Sequence, residues 1–191
     1  MFIHTEPTPN PLTLKFLPGR VVMDEETVFF QKESDCSNSP LATRLFSIEG
    51  VVGVFFGSDF ITITQGENSD WQILKPLILC EIMDHYNSGE KIMIKNQDDL
   101  KKNDSSLLES KHEDNEIVKQ IKKLLDTKVR PAVAMDGGDI VFQSYNNGIV
   151  YIHMQGACSK CPSSTETLKI GIKNMLKHYV VEVKEVRPVD V

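Results

Sequence analysis

The stretch "MDGGDIVFQSYNNGIVYIHM", Met135 to Met154, carries the clearest fold signal in the chain. Gly137-Gly138 is typical of a turn, because glycine readily adopts positive φ. A strand is predicted from Ile140 to Tyr145. Asn147-Gly148 then indicates a two-residue hairpin turn, followed by an antiparallel strand from Ile149 to Met154.

Amphipathic helices flank this hairpin on both sides. The first is predicted to end near Arg130-Pro131, and its apolar residues recur at helical spacing: Ile117, Ile121, Leu124, Leu125 and Val129. The second carries a matching set: Leu168, Ile172, Met175, Leu176 and Tyr179. A last strand is predicted through Val181, Val183 and Val186. Two helices against a small sheet predict a compact α+β domain.

A charged segment separates this domain from the first part of the chain. Residues 95–116 hold seven acids and four lysines but no aromatic residue. Such a composition cannot bury enough apolar surface to offset the entropy of ordering. We therefore predict two small α+β domains, residues 1–94 and 114–191, joined by a flexible acidic linker at 95–113.

The first unit has its own pattern of strands and helices. Alternation in Leu12 to Gly19 predicts a strand, and two further strands are predicted at Val51–Phe56 and Phe60–Gln65, joined by a tight turn. A helix is predicted from Ser39 to Phe46, with Pro40 at its first position. Another is predicted from Asp70 to Asn87, where Pro76 indicates a kink or a later start.

Overall composition limits the classes of partner. The 191 residues carry a formal charge of −6, which disfavours non-specific attraction to nucleic acid or to an anionic membrane. No apolar run approaches the roughly 20 residues of a membrane span. Residues 1–10 lack the pattern of a signal or transit peptide. We expect a bacterial cytoplasmic protein or, if the chain is a processed form, one of the mitochondrial matrix.

The four cysteines, Cys36, Cys80, Cys158 and Cys161, are too sparse for a secreted disulfide scaffold. Cys80 follows Ile73 by seven residues, so it is predicted to share a buried helix face and to be a small core residue. Cys36 lies in an irregular loop and is predicted to be an uninvolved thiol.

Cys158 and Cys161 lie in "QGACSKCPSSTETLK", residues 155–169, just ahead of a predicted helix. Ser163 and Glu166 have the spacing of a capping box. Unpaired amides and the positive end of the helix dipole favour thiolates at such a position, and thiolates are the ligands that soft metals prefer.

Two thiolates are half of what a tetrahedral zinc ion or an iron–sulfur cluster requires. His153 and His178 are both predicted to face solvent, and Cys36 or Cys80 would have to reach across the linker. Two copies of the chain could instead supply Cys158 and Cys161 twice to one [4Fe–4S] cluster. A zinc staple, inert thiols and a thioredoxin-like oxidoreductase remain alternatives. In "DGGD", Asp136 and Asp139 are more typical of a turn than of a metal site.

The residues of both units resemble a known family. "GACSKCPSSTETLKIGIKNMLKHYVVEV", with "DGGD" before it, resembles the carboxy-terminal domain of NifU-like proteins. "MFIHTEPTPNPLTLKFLPG", "SPLATRLFSIEGVVGVFFGSDFITIT" and "DWQILKPLILCEIMDHYNSG" are similar, in that order, to the amino-terminal domain of the Nfu-type members.

This resemblance implies an iron–sulfur cluster scaffold or carrier rather than an enzyme. It implies that Cys158 and Cys161 hold a [4Fe–4S] cluster shared between subunits, so the chain would form a homodimer or higher oligomer when loaded. The implied partners are an upstream assembly scaffold and the apo-proteins that receive the cluster, with no nucleic acid and no membrane.

Overall fold

The computed structural model describes residues 2–24, 26–94, 112–159 and 165–189. The chain divides into two compact units, Met1–Ser105 and Ser106–Val191, and both combine helices with a sheet. The predicted α+β class is therefore confirmed. Residues 95–111 of the predicted linker lie outside the described residues, and the domain limits drawn from the sequence stay predictions.

The first unit is built on a five-stranded antiparallel sheet with the strand order β1-β2-β5-β4-β3. Its strands are β1 (His4–Pro7), β2 (Thr13–Leu17), β3 (Val28–Phe30), β4 (Val51–Phe56) and β5 (Ile61–Gln65). The three predicted strands of this unit correspond to β2, β4 and β5, and all three are present. The short strands β1 and β3 form the edges and gave no comparable signal in the sequence.

Two α-helices of the first unit, α1 (Pro40–Phe46) and α2 (Trp71–Ser88), follow the predicted bounds closely. The Ser39 side chain caps α1 by accepting a hydrogen bond from the Ala42 amide at 3.2 Å. Helix α2 begins after Asp70 and ends at Gly89, whose φ of 71° closes it in the left-handed region. Pro76 lies inside the helix, so α2 neither starts later nor breaks there.

The buried face of α2 consists of Leu74, Ile78, Ile82 and His85. Ile73 is 67% exposed and Cys80 is exposed, so the prediction that Cys80 is a core residue is wrong. Apolar residues lie on both faces of α2, and their spacing therefore did not indicate which face the core covers. Cys36 behaves oppositely: it lies in a 3-10 turn, Glu33–Asn38, with only 1% of its surface exposed.

The second unit has helices along a three-stranded sheet with the order β6-β7-β8. Its elements are α3 (His112–Leu124), a π-turn (Leu125–Val129), α4 (Arg130–Met135), β6 (Gly138–Asn146), β7 (Ile149–Gly156), α5 (Thr165–Tyr179) and β8 (Glu185–Pro188). One core joins these elements, and its fully buried members include Ile121, Val150, Leu176 and Val186. Among the described helices of both units, none combines the length and the apolar character of a membrane-spanning segment.

The hairpin predicted at Asn147-Gly148 is confirmed. Both residues have positive φ, 51° and 87°, as this type of two-residue turn requires. Strands β6 and β7 pair antiparallel from Gly138–Gly156 to Asn146–Ile149. A bulge between Phe142 and Ser144, absent from the prediction, shifts the register midway along the hairpin.

The helical path does not end near Arg130-Pro131 as predicted; it continues through the π-turn into α4 as far as Met135. A proline ring in regular α-helix collides with the carbonyl four residues earlier. The π-turn widens the backbone just before Pro131, and the Arg130 amide bonds Leu125 O, five residues back. Val133 can therefore join the same buried face as Val129.

The last strand begins later than predicted. Val181 is 86% exposed, and β8 starts only at Glu185. Because β8 pairs with β7 in parallel, β7, α5 and β8 form a crossover unit with the cysteine segment between β7 and α5.

Candidate functional site

Cys158 lies directly after β7, in a turn made of small residues. Gly156 ends the strand with a φ of 63°, and Ser159 donates to its carbonyl through the backbone amide at 3.1 Å and through Oγ at 2.8 Å. Cys158 itself is 5% exposed and belongs to the core of the second unit. Cys161 lies outside the described residues, so its place in the site stays a prediction.

The predicted capping box after the cysteine pair is likewise untested. Ser163 and the Glu166 side chain both lie outside what the structure describes. Helix α5 itself begins at Thr165, close behind the cysteine segment, as the sequence predicted.

The Gly137-Gly138 turn supports the Cys158 segment. Gly137 has a φ of 81°, and its carbonyl accepts a hydrogen bond from the Ala157 amide at 3.1 Å. Gly138 pairs with Gly156, and a Cβ added at Gly138 would lie 2.7 Å from Cys158 Sγ. The predicted turn is confirmed, and the second glycine has a further role: without a side chain, it lets the thiol lie against the backbone.

An ion pair fixes the strand that begins at this turn. Arg130 donates to both carboxylate oxygens of Asp139, with Nε–Oδ1 and Nη2–Oδ2 distances of 2.8 and 2.7 Å. Asp139 is 3% exposed and also accepts from the Ile140 amide at 2.7 Å. The hydrogen bonds that Arg130 donates to Asp139 are the largest cause of the raised pKa of Arg130. Both oxygens of Asp139 are thus engaged, while Asp136 faces water, as expected for a turn rather than a metal site.

The two histidines considered as extra ligands differ. His178 is exposed near the end of α5, as predicted. His153 is only 8% exposed, so the prediction that it faces solvent is wrong. Its Nδ1 lies 3.1 Å from the Val189 carbonyl, because the segment that follows β8 covers this side of β7. That contact uses one of the two ring nitrogens of His153.

Cys36, in the first unit, is a poor candidate for a further ligand. Burial raises the pKa of Cys36 to about 11, with further contributions from Asp35 and Glu33. A thiol with that pKa is protonated at neutral pH and is a poor metal ligand. Among the described residues, no group of three His, Cys, Asp or Glu side chains is arranged to hold a metal ion. The described part of the second unit therefore provides a single thiol, Cys158.

Sequence reasoning missed the Arg130–Asp139 pair and the contact between Gly138 and the thiol. Arg130 precedes Asp139 by nine residues, in a different element, and this spacing predicts no contact. The "DGGD" sequence was the available signal, but it indicated only a turn.

Two family models match the chain. Residues 3–89 match the Nfu_N model, described as "Scaffold protein Nfu/NifU N terminal". Residues 121–187 match the NifU model, described as "NifU-like domain". Each match falls within one of the two units of the structure.

Similar proteins come from plants and flies. "NifU-like protein 4, mitochondrial" and "NifU-like protein 5, mitochondrial" of Arabidopsis thaliana are 50% and 48% identical to the chain over 188 residues, which is 97% of it and 65% and 67% of their own lengths. "NFU1 iron-sulfur cluster scaffold homolog, mitochondrial" of Drosophila willistoni is 49% identical over 190 residues, 99% of the chain and 64% of that protein. The chain thus spans about two thirds of the length of these relatives.

The relatives overturn one expectation. All three are named as mitochondrial proteins of a plant and a fly, so the prediction of a bacterial cytoplasm is wrong and the names point to mitochondria. That prediction rested on the composition of residues 1–10.

Proposed function

Because the chain belongs to the Nfu-type family of NifU-like proteins, we propose that it is an iron–sulfur cluster scaffold that carries its cluster to apo-proteins. The cluster is cargo, and the protein carries out no catalytic reaction on it. The observation that supports this best is the setting of Cys158, a thiol in a turn of small residues, braced by the Gly137-Gly138 backbone.

The ligands are Cys158 and Cys161. Cys158 lies against Gly138, which has no side chain to occupy the space beside Sγ. Because Cys158 is 5% exposed, a change of its rotamer has to turn Sγ outward before iron can reach it. The sequence places the second thiol three residues later, within reach of the same cluster.

The cargo is a [4Fe–4S] cluster shared by two copies of the chain. Such a cluster takes four thiolates, and one chain provides two at this site. A homodimer, or a higher oligomer, supplies the full set. A shared cluster is also released when one subunit withdraws its ligands, which suits delivery to an apo-protein. An upstream assembly scaffold would supply the cluster in the first place.

Anaerobic reconstitution tests this proposal. Iron and sulfide are quantified against protein, and the mass of the loaded species is measured by light scattering. We expect about four irons and four sulfides per two chains, together with a broad visible absorption. A fully loaded single chain would contradict the shared site.

Variants test the ligands. Cys158→Ser and Cys161→Ser should each abolish cluster assembly, whereas Cys80→Ser should load normally, because Cys80 lies on the exposed face of α2 in the other unit. Full reconstitution of Cys158→Ser would remove Cys158 from the site.

One observation favours a second candidate, a thioredoxin-like oxidoreductase. The cysteine segment lies between a strand and a helix of a parallel crossover unit, β7-α5-β8, as redox Cys-x-x-Cys pairs do. An oxidoreductase would cycle between dithiol and disulfide without bound iron. Redox titration of the reconstituted protein, followed by thiol counting, separates the two functions.

A further inference from the structure

Charge is unevenly distributed between the two parts of the chain. Residues 2–94 contain six Lys and Arg against thirteen Asp and Glu, a formal charge of −7. Residues 116–191 contain eleven against eight, a formal charge of +3, and the whole second unit, residues 106–191, contains twelve against eleven, a formal charge of +1. A protein that is acidic overall therefore has a cationic excess in the part that carries Cys158, and such an excess attracts anionic surfaces.

Part of this excess forms a row on α5. Lys169, Lys173 and Lys177 are four residues apart, so they share one helix face at intervals of about 6 Å. Lys177 is exposed and the other two are half-buried. None of the three forms an ion pair with another described side chain. We call these three residues the α5 lysine row.

Strand β8 carries an ion pair within electrostatic reach of the α5 lysine row. Arg187 donates two hydrogen bonds of 3.1 Å to Glu185, and these are the main cause of the lowered pKa of Glu185. Lys169 and Lys173 lower this pKa further, so both lysines lie within electrostatic reach of the same carboxylate. Glu185 is already matched by Arg187, and no ion pair between Glu185 and the α5 lysine row is present among the described side chains.

The α5 lysine row is also close to the cluster ligands along the chain. Helix α5 begins at Thr165, four residues after Cys161, and Lys169 lies in its second turn. One end of a protein that binds along α5 would therefore lie near the cysteine segment.

We propose that the α5 lysine row, with Arg187 beside it, is the docking surface for an acidic face of the apo-protein that receives the cluster. This inference rests on the proposed function and names the chemistry of the partner: carboxylates spaced along a helix or strand. A membrane is the weaker occupant. Ile172 and Leu176 of α5 are buried in the core, and the exposed Ile170 and Tyr179 are nine residues apart, on opposite sides of the helix, so they form no apolar face that could insert into lipid.

The first test measures binding without any cluster. The full-length apo-protein is titrated with an alanine-rich helical peptide whose glutamates recur every fourth residue, and with its glutamine counterpart. We expect binding of the glutamate peptide only, weakened at least about fivefold in the variant K169Q/K173Q/K177Q and lost near about 0.5 M salt. The matched control is K119Q/K122Q/K123Q on α3, which removes the same charge from exposed positions.

The second test measures cluster transfer from the loaded protein to an acidic apo-acceptor. At about 20 mM salt, K169Q/K173Q/K177Q should slow transfer by about tenfold and the α3 control by less than about twofold, with equal cluster contents before mixing. Equal slowing in both variants, or in neither, would overturn the docking surface. The proposal would also be overturned if the wild-type protein bound anionic lipid vesicles but not the glutamate peptide, and if K169Q/K173Q/K177Q lost the vesicle binding.

The two proposals fail in different ways. If the wild-type protein takes up no cluster, the proposed function is wrong, whatever the peptide does. If it loads and transfers normally but the glutamate peptide does not bind, only the docking surface is wrong.

Discussion

Gly138 is the residue at which backbone and thiol come closest, and its substitution should show whether that contact matters. A Cβ at this position would lie 2.7 Å from Cys158 Sγ and from the Gln155 carbonyl. Gly138→Ala should therefore cost about 1–3 kcal/mol of unfolding free energy and reduce the cluster content after reconstitution.

Gly171→Ala is the matched control for Gly138→Ala. Apart from its chain neighbours and the backbone of α5, no atom of the described residues lies within 4 Å of the Cβ that it adds. It should load fully and gain about 0.5–1 kcal/mol, since alanine is the better helix former. Normal loading of Gly138→Ala would show that the close approach is not needed.

His85 should make the stability of the first unit depend on pH. It is fully buried on α2, and burial lowers its pKa below the usual 6.5, helped by the charge of Arg44 and opposed by Glu90. Below pH 6.5 the unfolded chain takes up a proton that the folded chain resists. The unfolding free energy should therefore fall as the pH drops below that value, by up to about 1.4 kcal/mol per pH unit.

His85→Leu should flatten this dependence, and His178→Gln, at an exposed position, should leave it unchanged. Chemical denaturation between about pH 7.5 and 5 measures the effect. Identical slopes in the wild type and in His85→Leu would rule out His85 as the cause.

Among the elements, the helical path from α3 to α4 is tied to β6 by the Arg130–Asp139 pair. Asp139→Asn should cost about 1–2 kcal/mol, less than the roughly 3–5 of a fully buried pair, because the Arg130 side chain is 37% exposed. It should also shorten the lifetime of the bound cluster, since β6 starts at the turn that braces Cys158.

Asp126→Asn breaks the outer end of the same network. The Asp126 side chain is 58% exposed and 3.3 Å from Arg130, so its loss should change stability by less than about 0.5 kcal/mol. Urea unfolding compares the two variants. Equal losses of unfolding free energy in Asp139→Asn and Asp126→Asn would mean that the buried contact of Arg130 to β6 stabilises the unit no more than the exposed one.

The sequence predicted the elements of this fold better than their limits. The strand patterns of β2, β4 and β5, the Asn147-Gly148 turn and Pro40 at the start of α1 are local signals, and each was confirmed. The predicted helix end near Pro131 was wrong, because a π-turn just before Pro131 widens the backbone and accommodates the proline ring. The rule that proline ends a helix applies to regular α-helix. It could not predict a π-turn before Pro131, which keeps the chain helical so that Val133 is buried in the core.

At the scale of the whole molecule, the second unit should hold the cluster without the first. The core formed by its described residues is drawn from the second unit, and Cys36, with a pKa of about 11, is a poor ligand at neutral pH. A fragment that begins at Asp114 should reconstitute the same iron and sulfide per chain as the full protein. If it requires the first unit, Cys36 and Cys80 have to be reconsidered.

By itself, the sequence determined the α+β class and the position of the cysteine pair between a strand and a helix, because periodicity and turn chemistry act over a few residues. Only the tertiary structure decided which face of α2 is buried, and hence that Cys80 is exposed; separately, it decided that the segment with Cys36 is covered. It also decided that Arg130 reaches Asp139 and that Gly138 lies against the Cys158 thiol. These facts depend on which distant surfaces meet in the core, and spacing along the chain does not encode such contacts.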